Sequence, residues 1–273
     1  MKFRHLCALT SVFFTNIVLG SQVPIGIIGG QGDAPYAALV QSDGSVMTLQ
    51  GLPDTGLTFR VGINPTGHGI IGGTDGVNAY SALVSPNGVL TPIPGLLAPG
   101  EIYTVAINKS GSAIVGGGHL TSNIPYAALV APNGVATSLS LPASGLVYSV
   151  AIDSSGESFI GGVGPLHSAY AAIVSQNGAV TPITGLPANG SIFWVAVSDS
   201  KLKFIGGQEN SSVYAAFVGA NGSLTRITGL PLGLNYSVGM NAKGAAIMGG
   251  TSLTLPYAAL VSSTGVVNTL QGL

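Results

Sequence analysis

The side chains able to do acid–base chemistry are few: nine carboxylates and four histidines in 273 residues. Asp33, Asp75 and Glu209 each fall in the same kind of connection within an internal repeat. A fold that brought two of them within about 10 Å around an axis would have the carboxylate pair of a glycoside hydrolase. His119 and His167 fall in equivalent connections, whereas His68 follows Gly67 in a different turn. No two histidines have the His-x-x-x-His spacing of a metal site, so neither a metal nor a cofactor is expected. Asp43, Asp153 and Asp199 stand at turn starts, where a carboxylate accepts local backbone hydrogen bonds. The recurring Gly-Gly strings precede no Lys-Ser/Thr pair, so they are backbone devices and not a phosphate loop. These residues point to no catalytic group, and the expectation is a chain that is not an enzyme. Asp33, Asp75, His119, His167 and Glu209 remain as candidate binding residues.

The elements that would position them repeat along the chain. Tyr-Ala-Ala-Leu-Val or a close variant begins at Tyr36, Tyr80, Tyr126, Tyr170, Tyr214 and Tyr257, at intervals of 44, 46, 44, 44 and 43 residues. An apolar stretch ending in Gly-Gly precedes each copy, and a turn such as Asn87-Gly88 or Asn133-Gly134 follows. Asn-Gly tolerates positive φ and predicts a type I′ hairpin. Next come a short strand, a corner such as Gly51-Leu52-Pro53, and an apolar strand ending in Asn or Asp with Gly three residues on, as in Asn64 to Gly67. Each unit therefore predicts four antiparallel strands: a (around Val61, Val105, Val150, Val195 and Val238), b (ending in Gly-Gly), c (from the tyrosine) and d. A four-stranded meander of this length is the size of a propeller blade. Six copies predict an all-β, six-bladed β-propeller over residues 21–273. A β-solenoid would need parallel coils, which the hairpins contradict.

Strands b, c and d occur six times and strand a five times, so the first blade is expected to lack its inner strand. The same count leads to the expectation that further sequence beyond residue 273 completes the ring. In a blade, the a–b and c–d turns share one face and the b–c and d–a connections the other. The b–c segments vary in length and content, which places any ligand on their face.

Charged residues make up 6% of the chain against a usual ~25%, and no basic run offers a footprint for nucleic acid. Lys2 and Arg4 followed by the apolar run Leu6 to Leu19, with Val18 and Gly20 small enough for cleavage, read residues 1–20 as a secretory signal peptide. The segment is too short to predict a membrane span. The single cysteine, Cys7, falls inside it, which leaves the mature chain no disulfide.

Tyr-Ala-Ala-Leu-Val, x-Asn-Gly-x and Val-Ala-Ile-Asn-x-x-Gly-x-x-x-x-Gly-Gly, as in Tyr80–Ile93 with Val105–Gly117 and in Tyr126–Leu139 with Val150–Gly162, resemble the HAF-type extracellular repeats of bacteria. The likeness covers nearly all of residues 24–273, with tyrosine in place of the family's histidine and Gly-Leu-Pro in place of its Leu-Gly corner. The resemblance implies an exported, propeller-like bacterial protein. Low-charge exported arrays also look like autotransporter passenger regions, which would place the chain at the cell surface or outer membrane. The expected function is a secreted or surface-displayed module that binds a protein or glycan. An axial carboxylate enzyme and a structural protein self-associating through open strand edges are the alternatives.

Overall fold

The computed structural model describes residues 23–119, 121–198 and 200–273. The expected leader, with Cys7, lies outside the described residues, as does Asp199. Among the described residues, twenty-three strands form six antiparallel sheets, each in chain order. The first blade holds β1 (Gly26–Gln31), β2 (Pro35–Val40) and β3 (Val46–Thr48). The second holds β4 (Leu57–Ile63), β5 (Gly69–Thr74), β6 (Ala79–Val84) and β7 (Leu90–Pro92). The third runs through β8 (Glu101–Ile107), β9 (Ala113–His119), β10 (Ile124–Val130) and β11 (Ala136–Ser138). The fourth is β12 (Leu146–Ile152), β13 (Ser158–Val163), β14 (Ala169–Val174) and β15 (Val180–Pro182). The fifth is β16 (Gly190–Val197), β17 (Lys203–Glu209), β18 (Ser212–Val218) and β19 (Leu224–Arg226). The sixth is β20 (Gly233–Met240), β21 (Ala246–Ser252), β22 (Leu255–Val261) and β23 (Val267–Thr269).

The a strands converge: β4 packs on β8, β8 on β12, β12 on β16 and β16 on β20. They are therefore the inner strands of a β-propeller. The buried side chains form five clusters among the described residues, each between two consecutive blades. In the last of these, Phe204 of β17 meets Met248 of β21, both fully buried. Blade faces stacking on one another are what short four-stranded sheets need, because one such sheet cannot cover its own apolar surface.

The Gly-Gly pair makes the convergence possible. A Cβ on the first glycine would press into the next blade's a strand, as on Gly72, where it would lie 2.6 Å from Val105 Cγ1. A Cβ on the second would strike the carbonyl of its own a strand, Leu57 for Gly73 and Glu101 for Gly117. The tyrosine of strand c stands opposite that second glycine in every blade, from Gly30↔Tyr36 to Gly250↔Tyr257.

The c–d hairpins differ from the type I′ expectation. Only glycine adopts positive φ at these sites, 81° at Gly88 for example, while the preceding Asn does not. Gly88 N–H donates to Ser85 O at 2.9 Å and Ser85 N–H to Val89 O at 3.0 Å. This is a three-residue loop, a type I turn closed by a left-handed glycine, with Pro86 at the position whose fixed φ suits it. The a–b turn repeats it, with Gly67 N–H on Asn64 O and Asn64 N–H on His68 O.

The residue closing each a strand has two tasks. Asn64 Oδ1 accepts from Thr66 and His68 N–H, both at 3.0 Å, and its Nδ2 donates across the blade boundary to Asn108 O at 2.9 Å. Asn108 repeats the pattern and donates to Asp153 O at 3.2 Å. Asp153 Oδ1 accepts from Ser155 and Glu157 N–H, but its buried Oδ2 has no partner. Asp153→Asn restores a donor at that place in the ladder. The substitution is expected to stabilise the protein by about 1 kcal/mol, read as a higher urea midpoint at an unchanged slope.

Candidate functional site

Each a strand carries a β-bulge. Pairing with strand b skips one residue between Thr58 and Arg60, Ile102 and Thr104, Val147 and Ser149, Ile192 and Trp194, and Asn235 and Ser237. The skipped residues are Phe59, Tyr103, Tyr148, Phe193 and Tyr236, all aromatic. A bulge re-aims the side chain it carries, and on the innermost strand it aims toward the axis. Phe59 and Tyr103 meet edge-on at 5.9 Å between ring centres, and Tyr148 and Phe193 lie 5.8 Å apart. These bulges fall early in the a strands, at the end of the channel shared with the b–c connections.

The residue after the bulge is a small hydroxyl in three blades. Thr104 Oγ1 accepts from Val150 N–H at 3.2 Å and Ser149 Oγ from Val195 N–H at 3.1 Å, so each binds its blade to the next. The second and fifth blades depart from this pattern with Arg60 and Trp194. These blades are opposite one another in a ring of six, yet the Arg60 guanidinium lies over the Trp194 ring at 4.5 Å. A cation–π pair thus crosses the axis inside a belt of aromatic rings. Trp194 is the single tryptophan of the chain.

Glu101 opens β8 beside this belt. Burial first, and then the Glu101 carboxylate, pushes the Tyr103 phenol well above the ordinary phenol range. Burial also raises the phenols of Tyr148 in the belt and of the strand c tyrosines Tyr80, Tyr126, Tyr170 and Tyr214. Because the folded values lie above the ordinary 10.0, the folded state favours neutral phenols. Their contribution is complete below pH about 10 and lost as the pH rises through the higher folded values. Alkaline unfolding is expected to coincide with tyrosine ionisation, followed together by absorbance near 295 nm and circular dichroism. Phenols that ionise while the sheets stay intact would show that these side chains are open to water.

The candidate residues named from sequence lie one per blade in or beside the b–c connections, and Asp75, His119 and Glu209 are engaged locally. Asp33 is exposed between β1 and β2. Asp75 accepts from Val77 and Asn78 N–H, at 2.9 and 2.7 Å, and these backbone donors hold its carboxyl below the usual range. His119 Nδ1 pairs with Ser122 Oγ at 2.8 Å. His167 ends a short 3₁₀ turn with φ of 59° and lines a shallow recess with Asn189, Ser191 and Gln208. Glu209 is paired with Arg226, which also stacks over Tyr214. Among the described residues, no three His, Cys, Asp or Glu side chains gather as metal ligands. The larger grooves open on the opposite face, as between β9–β10 and the Ser155–Gly156 turn, with about 570 Å³ of space. Among the described residues, no helix is long and apolar enough to cross a membrane.

Reading the sequence for acid–base residues missed the Arg60–Trp194 pair. The signal lay elsewhere, in the five aromatics at one repeat position and two departures from a small hydroxyl at the next.

No family model matches the chain, and no curated protein matches it in sequence. Among solved structures, a streptogramin B lyase superposes with a TM-score of 0.64 at 11% identity, over 94% of this chain and 86% of its own. Virginiamycin B lyase from Staphylococcus aureus gives 0.61 at 10% identity, over 87% and 78%. YCF48 bound to D1 peptide gives 0.55 at 12%, over 93% and 85%. At such identities the likeness shows the fold alone. It nevertheless overturns the expectation that this chain is not an enzyme, because lyases occupy the same scaffold. The physical reason is radial: a propeller assembles a site from one residue per blade, so the lack of a local catalytic motif excludes nothing. Catalysis by this chain is not thereby established.

Proposed function

We propose that this chain is an exported, surface-displayed propeller that binds a polypeptide ligand at the b–c mouth of its channel. The observation that carries the reading is the Arg60–Trp194 pair within the aromatic belt. It offers one cation and several ring faces, which suit an acidic or aromatic side chain inserted along the axis. YCF48, a similar fold, has a peptide bound, which favours a polypeptide over a glycan. The leader-like start and the HAF-type repeat pattern support export by a bacterium, and the low charge supports a place at the cell surface, as in an autotransporter passenger.

Trp194 as sole tryptophan makes the test direct. Peptides selected from a random library displayed on phage are expected to change its fluorescence on binding. Trp194→Ala should weaken them at least tenfold, about 1.4 kcal/mol. Selected peptides that bind Trp194→Ala and Arg60→Met proteins as tightly as the unaltered chain would place the ligand elsewhere.

A further inference from the structure

We infer that the polypeptide received at the b–c end of the ring is an apolar segment carrying lysine or arginine, with an aromatic and not an acidic side chain at the axis. The inference rests on the reading of that end as a polypeptide site and gives the ligand its chemistry. Aliphatic side chains that contribute little to the core rim this end. Val77 is 68% exposed, Ile124 44% and Leu166 91%, in the second, third and fourth blades. Leu232, Leu253 and Leu255 adjoin one another at the sixth, where Leu253 N–H donates to Leu232 O at 3.0 Å, and all three are more than half exposed. Leu166 and Leu253 both have φ of 56°, a left-handed conformation that crowds a leucine and suits Asn or Gly. An exposed leucine held in that way costs the fold and buries nothing, and such strain gathers where ligands are clamped. Phe59 and Tyr236 of the aromatic belt are themselves partly exposed inside this rim.

Charge decides the occupant. Asp33, Asp54, Asp75, Glu101 and Glu209 lie in the b–c and d–a connections or at the strand ends beside them, against two cations, Arg60 and Arg226. Both cations are engaged, Arg60 on Trp194 and Arg226 on Glu209. Asp33 and Asp54 are exposed and make no hydrogen bond or ion pair among the described residues. The four described lysines, Lys109, Lys201, Lys203 and Lys243, all lie at the opposite end. An acidic, aliphatic surface complements a basic, apolar segment, and it repels the anionic headgroups of a membrane. A second copy offers no match, since its lysines stand among Asp43, Asp153 and Glu157, with Lys203 buried. Glu101 opens β8 beside the belt, so a carboxylate brought to Arg60 would meet its repulsion, and an aromatic ring would not.

The test uses the full chain and the phage-selected peptides, synthesised with a fluorescent label. They are expected to be rich in Lys or Arg and in aliphatic residues, and to bind about tenfold more weakly in about 0.5 M than in about 0.05 M salt. Leu166→Asn combined with Leu253→Asn should weaken them about tenfold, and Asp33→Asn combined with Asp54→Asn about threefold. Both doubly substituted chains should melt no lower than the unaltered one. Peptides rich in Asp or Glu, or peptides indifferent to the two rim substitutions, overturn the inference. If such peptides still lose affinity for Trp194→Ala, the axial site stands without it; if they do not, both fall. Rim variants that melt well below the unaltered chain would show that these leucines serve the fold, which also overturns it. Saturable binding to phosphatidylcholine vesicles that needs Leu166 and Leu253 would make a membrane the occupant, and self-association that competes with the peptides would make it a second copy. Either result overturns it as well.

Discussion

Gly117→Ala is expected to lower the stability of the protein by at least ~3 kcal/mol. The new methyl would lie against the Glu101 carbonyl oxygen, a main-chain atom of β8. Main chain cannot rotate aside as a side chain can, so β8 would have to part from β9. That would undo the ladder from Glu101↔Gly118 to Ile107↔Ala113 and disturb the packing of β8 against β12. For a domain of this size a loss of ~3 kcal/mol lowers the melting temperature by roughly 6–12 °C, measurable by calorimetry. Gly30→Ala is the internal control, because its methyl meets open space. Equal melting of the two variants would mean that β8 and β9 are not paired as described.

The second large effect concerns a buried cation. Lys203 is 1% exposed, and its ammonium lies 2.6 Å from Glu157 Oε1 in the preceding blade. Other blades place a small residue at this position of strand b: Gly26, Gly69, Ala113, Ser158 and Ala246. Removing one partner of such a pair leaves the other charged and desolvated, which costs more than the pair contributes. Glu157→Ala is therefore expected to destabilise by about 3 kcal/mol, at the low end of the range for buried pairs because Glu157 itself reaches water. Adding Lys203→Met to that variant should restore most of the loss. Chemical denaturation of the two single variants and the double variant gives the coupling. A double variant no more stable than Glu157→Ala would show that the ammonium was not left unpaired.

Much of the fold was legible before any coordinates. Asn-Gly turns, Gly-Gly pairs and the repeated tyrosine are local signals, since a left-handed glycine or a two-residue alternation acts on its immediate neighbours. Six repeats of such signals leave little choice but six small sheets. The turn type was misread because Asn-Gly suits two hairpins. Which forms depends on the residue before Asn, Pro86 for example, and on where the flanking strands pair. The bulges were not legible either, since a skipped pairing belongs to two strands at once.

The meander unit, its repetition and the strand order could be read from residues alone, because each is written in contacts between near neighbours along the chain. Which side chains meet at the axis emerges only once the blades are arranged around it. Arg60 and Trp194 are separated by three blades of sequence yet touch, and Glu157 reaches Lys203 across a blade boundary. Such pairs are created by bending the row of blades into a ring, and no periodicity in the chain announces which departures from the repeat will face each other across it.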